Sequence, residues 1–288
     1  MQKLVIICLI ILMPSIMNAG VNIIHIGHAS FQWTTSSGTK ILIDPYGNSI
    51  WTHWFDQQFP EMNTDITLVT HPHYDHNAID RVKSGLILDK EGVIKASDYH
   101  IRGIIGHHAR SEKFGSRNII FVLEIDGIRF CHWGDNDANI DDNLLHQLGK
   151  IDVLLLPVDE SEHLLTLSEV ARIIDRLSPK VVIPMHFYES KLTSDCSTLM
   201  PINSWLSQQA IVRQIPPSGL ILSSNGLPTK REVWVFERSS ISTSMPESPF
   251  KKLPCFMQIS AVWLISSALL VIIILLAVVK RRKAYSKE

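Results

Sequence analysis

Residues 68–77 read Leu-Val-Thr-His-Pro-His-Tyr-Asp-His-Asn, and four of these ten side chains can bind a transition metal. His71, His73, Asp75 and His76 follow the spacing H-x-H-x-D-H, directly after the apolar run Ile66–Val69. An apolar run of that length bounded by a turn signal reads as a buried strand. The His71-Pro72 pair pushes His71 out of the α region, so the strand should break into a loop there. Four donors on one strand-end loop cannot all reach a single ion. The economical arrangement gives His71 and His73 to one metal, and Asp75 and His76 to a second. Imidazole and carboxylate donors without thiolate suit Zn2+, with Fe or Mn as alternatives. The competing reading is a polar loop, or histidines capping a helix that starts near Ala78. Three histidines and an aspartate at this spacing after a buried strand are hard to obtain by accident.

The motif resembles the signature of the metallo-β-lactamase-fold hydrolases. That resemblance implies an α/β protein, an αββα sandwich in four layers, with a dinuclear site at one edge. It also implies three further ligands: a histidine, a metal-bridging aspartate and a final histidine. His107 and His108 follow the run Ile101–Gly106. The stretch from His108-Ala109 to Phe114-Gly115 resembles a His-Ala…Phe-Gly pattern in relatives, which favours His108 as the residue that joins His71 and His73; His107 stays as the alternative. Asp135, in Cys-His-Trp-Gly-Asp-Asn, resembles the bridging Gly-Asp, although Gly134–Asp137 is also turn-like. Asp137 is the fallback. His186 follows Val-Val-Ile-Pro-Met and looks like the last ligand, closing the second metal with Asp75 and His76; a satisfied core histidine is its competing reading.

Other polar residues fall near the same edge. His132 alternates onto the strand face of Gly134, which suits support of a ligand more than metal binding. Asp159 and His163, with Glu160 and Glu162 between them, follow the strand Val153–Leu156. Asp159 or His163 is expected to touch substrate, with solvated loop residues as the equal alternative. His28 in Ile-Gly-His-Ala-Ser-Phe and Asp44 in Leu-Ile-Asp-Pro resemble landmarks of one branch of the superfamily. That branch includes L-ascorbate-6-phosphate lactonase-like and N-acylphosphatidylethanolamine phospholipase D-like proteins. Within it Asp44 would accept the free ring N–H of a ligand histidine, and His28 would support a ligand or contact substrate. The resemblance covers residues 21–188.

Two divalent ions, zinc first, would hold a hydroxide between them at neutral pH, because metal binding lowers a water's pKa from about 15.7 to near 7. The expectation is a hydrolase of an ester, lactone or phosphodiester, with Asp75 and Asp135 central to catalysis. Its substrate would be a small molecule or lipid-like. No Gly-rich phosphate loop or G-x-S-x-G elbow competes. The alternatives are a non-catalytic metal-binding surface protein of the same fold and a di-iron protein.

These residues need strands that end together. Apolar runs place strands at Val21–Ile26, Phe31–Thr34, Lys40–Ile43, Ile66–Thr70, Ile101–Ile105, Ile119–Ile125, Ile128–His132, Val153–Leu156, Val181–Pro184, Leu220–Leu222 and Glu232–Phe236. Several are continuously apolar, as in strands covered on both faces. Asp126-Gly127 is a hairpin signal. Helical patterns fall at Asn77–Ser84, Asp142–Leu148 and Ser168–Leu177, the last with Ser168 as N-cap and Val170, Ile173, Ile174 and Leu177 as its apolar face.

The whole chain has 288 residues, is 45% hydrophobic and carries a net charge of −1. That length supports one sizeable core, and that charge gives no footprint for nucleic acid. The domain is expected over residues 20–238. Met1–Ala19 reads as a signal peptide or retained anchor, and residues 239–258 as a linker. Ile259–Val279 is long and apolar enough to span a bilayer as a helix. The basic run Lys280–Lys283 behind it puts the C-terminus in the cytoplasm and the domain on the extracytoplasmic side. Of the four cysteines, Cys8 lies in the N-terminal apolar segment and Cys255 borders the C-terminal one. Cys131 and Cys196 lie in the domain, where buried free thiols are favoured over a mutual disulfide.

Overall fold

Two β-sheets face each other in the computed structural model, which describes residues 20–49, 53–110 and 117–240. The six-stranded sheet takes β1 (Val21–Gly27), β2 (Ser30–Thr34), β3 (Lys40–Ile43), β4 (Met62–Leu68) and β5 (Val82–Leu88). The second sheet takes β6 (Gly92–Lys95), β7 (Tyr99–His107), β8 (Arg117–Ile125) and β9 (Ile128–His132). After helix α1 (Asp142–Leu148) it continues with β10 (Val153–Pro157), and after α2 (Leu167–Leu177) with β11 (Val181–Met185). Following α3 (Asn203–Ser207), β12 (Val212–Ile215) joins the second sheet, β13 (Leu220–Leu222) returns to the first, and β14 (Glu232–Phe236) completes the second. The strand orders are β13-β1-β2-β3-β4-β5 and β12-β14-β11-β10-β9-β8-β7-β6.

The inner faces share one apolar layer. Phe31, Trp33, Ile41, Ile43 and Leu68 from the first sheet meet Phe121, Phe130, Leu155 and Ile183 from the second. On the far side of the second sheet, Leu148 of α1, Val170, Ile173, Ile174 and Leu177 of α2, and Trp205 of α3 cover Ile120, Val122, Leu154, Leu156 and Val182. Both β10 and β11 are therefore buried along their whole length, as their unbroken apolar sequences require. The far side of the first sheet is covered differently. Among the described residues Tyr46, Phe55, Phe59, Ala78 and Leu192, all outside helices, pack on Leu42. The protein is thus an αββα-type sandwich whose fourth layer, as far as it is described, is loop and turn.

That thin layer corrects one expectation. Asn77–Ser84 is a single 3-10 turn, Ile79–Arg81, running straight into β5. The chain from Val82 is taken instead by the sheet: β5 pairs in parallel with β4 from Met62↔Val82 to Leu68↔Leu88. Strands β5, β6 and β12 had no legible signal: each is an edge or next-to-edge strand with largely exposed positions. Asp126 and Gly127 have φ of 48° and 77°, the paired left-handed values of a tight hairpin turn between β8 and β9. Helix α2 begins one residue earlier than expected, and its N-cap is Thr166, not Ser168. Thr166 accepts from the Glu169 amide while Glu169 accepts from the Thr166 amide, a reciprocal capping box.

Cys131 is a buried free thiol. Cys196, expected to be free as well, is disulfide-bonded, and not to Cys131. The apolar segments Met1–Ala19 and Ile259–Val279 and all but the first two residues of the 239–258 linker lie outside the described residues. No helix among the described residues is long and apolar enough to cross a membrane.

The capping box sets a stability test. Thr166→Ala should lower unfolding stability by about 1 kcal/mol, seen as a lower urea midpoint at unchanged m-value. An unchanged midpoint would mean that packing of the apolar face alone holds α2.

Candidate metal centre

Strands β3 and β4 run parallel, as do β9, β10 and β11, so their carboxyl ends emerge along one edge of the sandwich. Asp44 follows β3, His71–His76 follow β4, Asp135 follows β9 and His186 follows β11. The turn between β1 and β2 adds His28, and the end of β7 adds His108. Backbone pairs beyond the strands fix these ends. The Asp44 amide donates to Leu68 O at 3.0 Å, that of Ile119 to Thr70 O at 2.8 Å, and that of Ala109 to Asp135 O at 2.7 Å.

One buried carboxylate sets the orientation of two histidines. Asp44 Oδ1 accepts from the Thr70 amide at 2.8 Å, and its Oδ2 accepts from Thr70 Oγ1 at 2.8 Å and from His76 Nδ1 at 2.9 Å. With its proton committed to Asp44, the Thr70 hydroxyl offers a lone pair to His71 Nδ1 at 2.9 Å. Both imidazoles are then protonated at Nδ1 and present a lone pair at Nε2. His108 reaches the same tautomer by donating from Nδ1 to Ala109 O at 2.7 Å. Asp135 is aimed from behind by Asn118, whose Oδ1 accepts the Asp135 amide at 3.1 Å. Gly134 makes that approach feasible: its φ is +57°, and a Cβ would meet Asn118 Oδ1 at 2.5 Å and Thr70 Cβ at 2.9 Å.

The donor atoms so presented fall into two sets, each with all members within 4.8 Å of one another: His71, His73, His108 and Asp135, and His28, Asp75, His76 and His186. Asp135 touches both. Its Oδ2 lies 3.5 Å from His71 Nε2, 3.4 Å from His108 Nε2 and 3.6 Å from His186 Nε2, while its Oδ1 lies 3.3 Å from His76 Nε2. Two donors each about 2.0–2.1 Å from a tetrahedral zinc lie about 3.4 Å apart, so these spacings fit donors that share an ion.

The polar bookkeeping fits a metal as well. Nε2 of His28, His71, His76, His108 and His186, and Oδ1 of Asp135, are buried without a hydrogen-bond partner. Each such group ordinarily costs about 1–3 kcal/mol. Burial pushes the His71 imidazole well below its usual range, with nearby His76 adding to the effect. Burial alone would raise Asp75 and Asp135, but His76 foremost, with further neighbouring histidines, holds both carboxyls well below the usual range. The reverse holds for His76: burial lowers it, and Asp135, Asp75 and Asp44 outweigh burial and raise it well above 6.5. Two ionised carboxylates and a ring of imidazoles around a shared space, with His76 and His108 drawn toward protonation by the carboxylates, are the donor chemistry of a divalent cation, which would take the place of those protons.

The remaining sequence candidates sort by position. His107, the alternative to His108, is exposed on β7 and belongs to neither set. Asp137 accepts from the Asn139 amide at 3.0 Å as a turn residue. His132 donates from Nε2 to Ala29 O at 2.9 Å and accepts the Gly134 amide at Nδ1, bracing the Asp135 loop without facing either set. Asp159 does not face the cleft. Its carboxylate accepts from the amides of Ser161, His163 and Met200 and from the Ser161 hydroxyl, closing its own loop. Glu160 accepts the Trp205 amide and Glu162 the Leu167 amide. His163 stays at the mouth, exposed, its ring 6.1 Å from His186 and 5.1 Å from Trp54. Sequence reasoning passed over Thr70, Asn118, Glu189 and Trp54. Thr70 had a signal, a hydroxyl closing a buried run just before the first ligand-type histidine; the other three had none.

Asp44→Asn tests the orientation. An amide nitrogen facing His76 Nδ1 would force the imidazole proton to Nε2, where a metal should sit. Metal affinity should fall about 10–100-fold with the circular dichroism spectrum unchanged, read by competition with a chromogenic chelator. Unchanged affinity would show that Asp44 does not govern the tautomers.

The same conclusion comes from known proteins. The beta-lactamase superfamily domain matches residues 22–186, more than half of the chain. A UPF0173 metal-dependent hydrolase of Koribacter versatilis is 29% identical over 201 residues, spanning 58% of this chain and 84% of that protein. One from Thermococcus kodakarensis is 31% identical over 198 residues with the same coverage, 58% and 84%. A Thermotoga maritima structure, described as a proposed Zn-dependent hydrolase of the metallo-β-lactamase superfamily, superposes with a TM-score of 0.59 at 27% identity, covering 76% of this chain and all of that one. By fold, by site and by sequence, the chain belongs to the beta-lactamase superfamily, among its metal-dependent hydrolases.

Proposed function

We propose that this metal-dependent hydrolase works with two divalent ions, zinc in preference to iron or manganese, on an ester, lactone or phosphodiester. His71, His73 and His108 would hold one ion, Asp75, His76 and His186 the other, and Asp135 would reach both. The observation that carries this reading is the convergence of buried, partnerless imidazole nitrogens around the Asp135 carboxylate. When bound, such ions activate a water near neutral pH and polarise the oxygen of the scissile group.

The chain's own residues do the rest. Asp44 and Thr70 keep the protons of His76 and His71 on Nδ1, and Ala109 O does the same for His108. Asn118 and Gly134 hold Asp135 at the meeting point of both sets. At the mouth, Trp54 lies 6.1 Å from Tyr74 and 5.1 Å from His163, and on the other set His73 is exposed. An aromatic and imidazole rim of this kind suits a small or lipid-like substrate with an apolar body and an oxygen-rich reacting centre. The proposal extends to a tether: Ile259–Val279 would anchor the chain with its basic tail in the cytoplasm and the domain outside. The disulfide at Cys196 is consistent with an oxidising compartment.

Elemental analysis of the full chain should find two zinc ions per chain. Stripping them with a chelator should lower Tm on the order of 5–10 °C, reversed by added zinc, as expected for ligands present at about 100 times Kd. Asp135→Ala should abolish hydrolysis of chromogenic phosphodiesters, lactones or esters, whichever the wild type cleaves, and should weaken metal retention at both positions. Wild-type turnover in that variant, or a metal-free active enzyme, would refute the proposal.

A further inference from the structure

We infer that His28 is a fourth protein ligand of the deeper ion, so that the two metal positions are chemically unequal and substrate is received at the outer one. The inference rests on the dinuclear reading above and deepens it.

His28 is placed as strictly as any of the seven residues already assigned. Its Nε2 lies 3.4 Å from Asp75 Oδ2, and its ring centroid is 4.1 Å from that of His186. All four donors of its set lie within 4.8 Å of one another. Neither of its ring nitrogens has a hydrogen-bond partner. Its backbone is held from three directions: the amide donates to Glu189 Oε1, and the carbonyl accepts from the His186 amide at 3.4 Å and pairs with His25 Nε2 at 3.2 Å. These contacts hold a left-handed conformation, φ +56°, that a histidine rarely adopts and that swings the ring toward Asp75.

Exposure separates a ligand from a substrate contact. The His28 side chain is 0% exposed and that of His186 is 1% exposed, and Phe55 closes over His28 at 5.0 Å between ring centroids. A residue so enclosed does not meet a substrate arriving from solvent. The other set is open: His73 is exposed and the His108 side chain is 10% exposed. With His28 counted, the deeper set has four protein donors of its own plus Asp135, and the outer set has three histidines plus Asp135. The deeper set is thus the richer in donors and the more enclosed, and solvent access at His73 and His108 puts the position that admits substrate on the outer ion.

The test uses the full chain and His28→Gly, chosen because glycine adopts φ +56° without strain. Chelator competition with zinc should show two binding steps in the wild type. In the variant one step should weaken more than 100-fold and the other change less than about 3-fold. Added free imidazole should restore the weakened step and the d–d absorption of the cobalt-loaded protein, which a purely structural role of His28 would not produce. In cobalt-loaded wild type, six rather than five strongly shifted imidazole N–H resonances should appear, a readout independent of whether the variant folds. Two unchanged steps with an unchanged cobalt spectrum, or five shifted resonances, would overturn the inference and leave the dinuclear proposal standing. Fewer than two metals in the wild type would overturn both.

Discussion

The site depends on a carboxylate that never faces it. Asp44 is fully buried at the end of β3, and a buried carboxylate without partners would be untenable. Its three hydrogen bonds come from the backbone and hydroxyl of Thr70 and from His76. Those bonds cannot form unless β3 and β4 are in register and end together. The same bonds decide where the protons of His71 and His76 sit, one histidine in each metal set. Strand register in the six-stranded sheet is thereby converted into lone-pair direction at both metal positions. This is a stronger coupling of fold to chemistry than a ligand list conveys, because a one-residue slip of β3 would remove Asp44 from Thr70 and disorder both sets at once.

Both sheets meet this arrangement through strained strand ends. His28, Asp44 and His186 all have φ between +46° and +60°, each at a cost of about 1–2 kcal/mol for an ordinary L-residue. They lie at three different strand ends, two placing a histidine in the deeper set and the third placing Asp44 against Thr70 and His76. Asp135 is brought in differently, by the left-handed Gly134 one residue earlier. The apolar layer between the sheets is what can carry such a cost, and the backbone pairs from Asp44 to Leu68, Ile119 to Thr70 and Ala109 to Asp135 hold the edge shut. Unlike the left-handed residues in ordinary turns and caps, such as Asp126 and Ser178, His28, Asp44 and His186 carry or brace side chains of the candidate site.

Much of this was legible in the sequence, for physical reasons. Continuous apolar runs such as Val153–Pro157 can only be strands covered on both faces, and H-x-H-x-D-H after such a run has few other uses. Apolar periodicity announced α1 and α2, although the α2 cap is Thr166 and not Ser168, and turn chemistry announced the Asp126-Gly127 hairpin. What failed was structure decided by partners far away in the chain. Val82–Leu88 has no strong local preference and becomes a strand because β4 offers it an edge, so the expected helix there is absent. The difference between His107 and His108 is a matter of which way a strand end faces, and the resemblance to relatives, not residue type, pointed to His108. Asp159 was left between a substrate contact and a loop residue, because a carboxylate at a strand end near a cleft suits either; its four hydrogen-bond donors come from the loops. Glu189 was invisible, since its task is to hold one backbone amide, that of His28, 161 residues away.

The electrostatics of the site then explain why metal and fold should be inseparable. Asp75 and Asp135 are buried within reach of the same histidines, and their negative charges need a cation between them. A proton on His76, whose imidazole is pushed well above its usual range by those carboxylates and Asp44 against burial, is compensation the residues themselves supply, with His108, raised by Asp135, adding to it. That proton would sit on the ring that must donate a lone pair to an ion. Metal binding and protonation of His76 therefore exclude each other, and the metal is the better partner because it also satisfies the imidazole nitrogens that no hydrogen bond reaches. A site built this way does not simply accept ions into a finished fold. It gathers ionised carboxylates and unpartnered imidazole nitrogens at one edge of the sandwich, the donors that divalent cations would take.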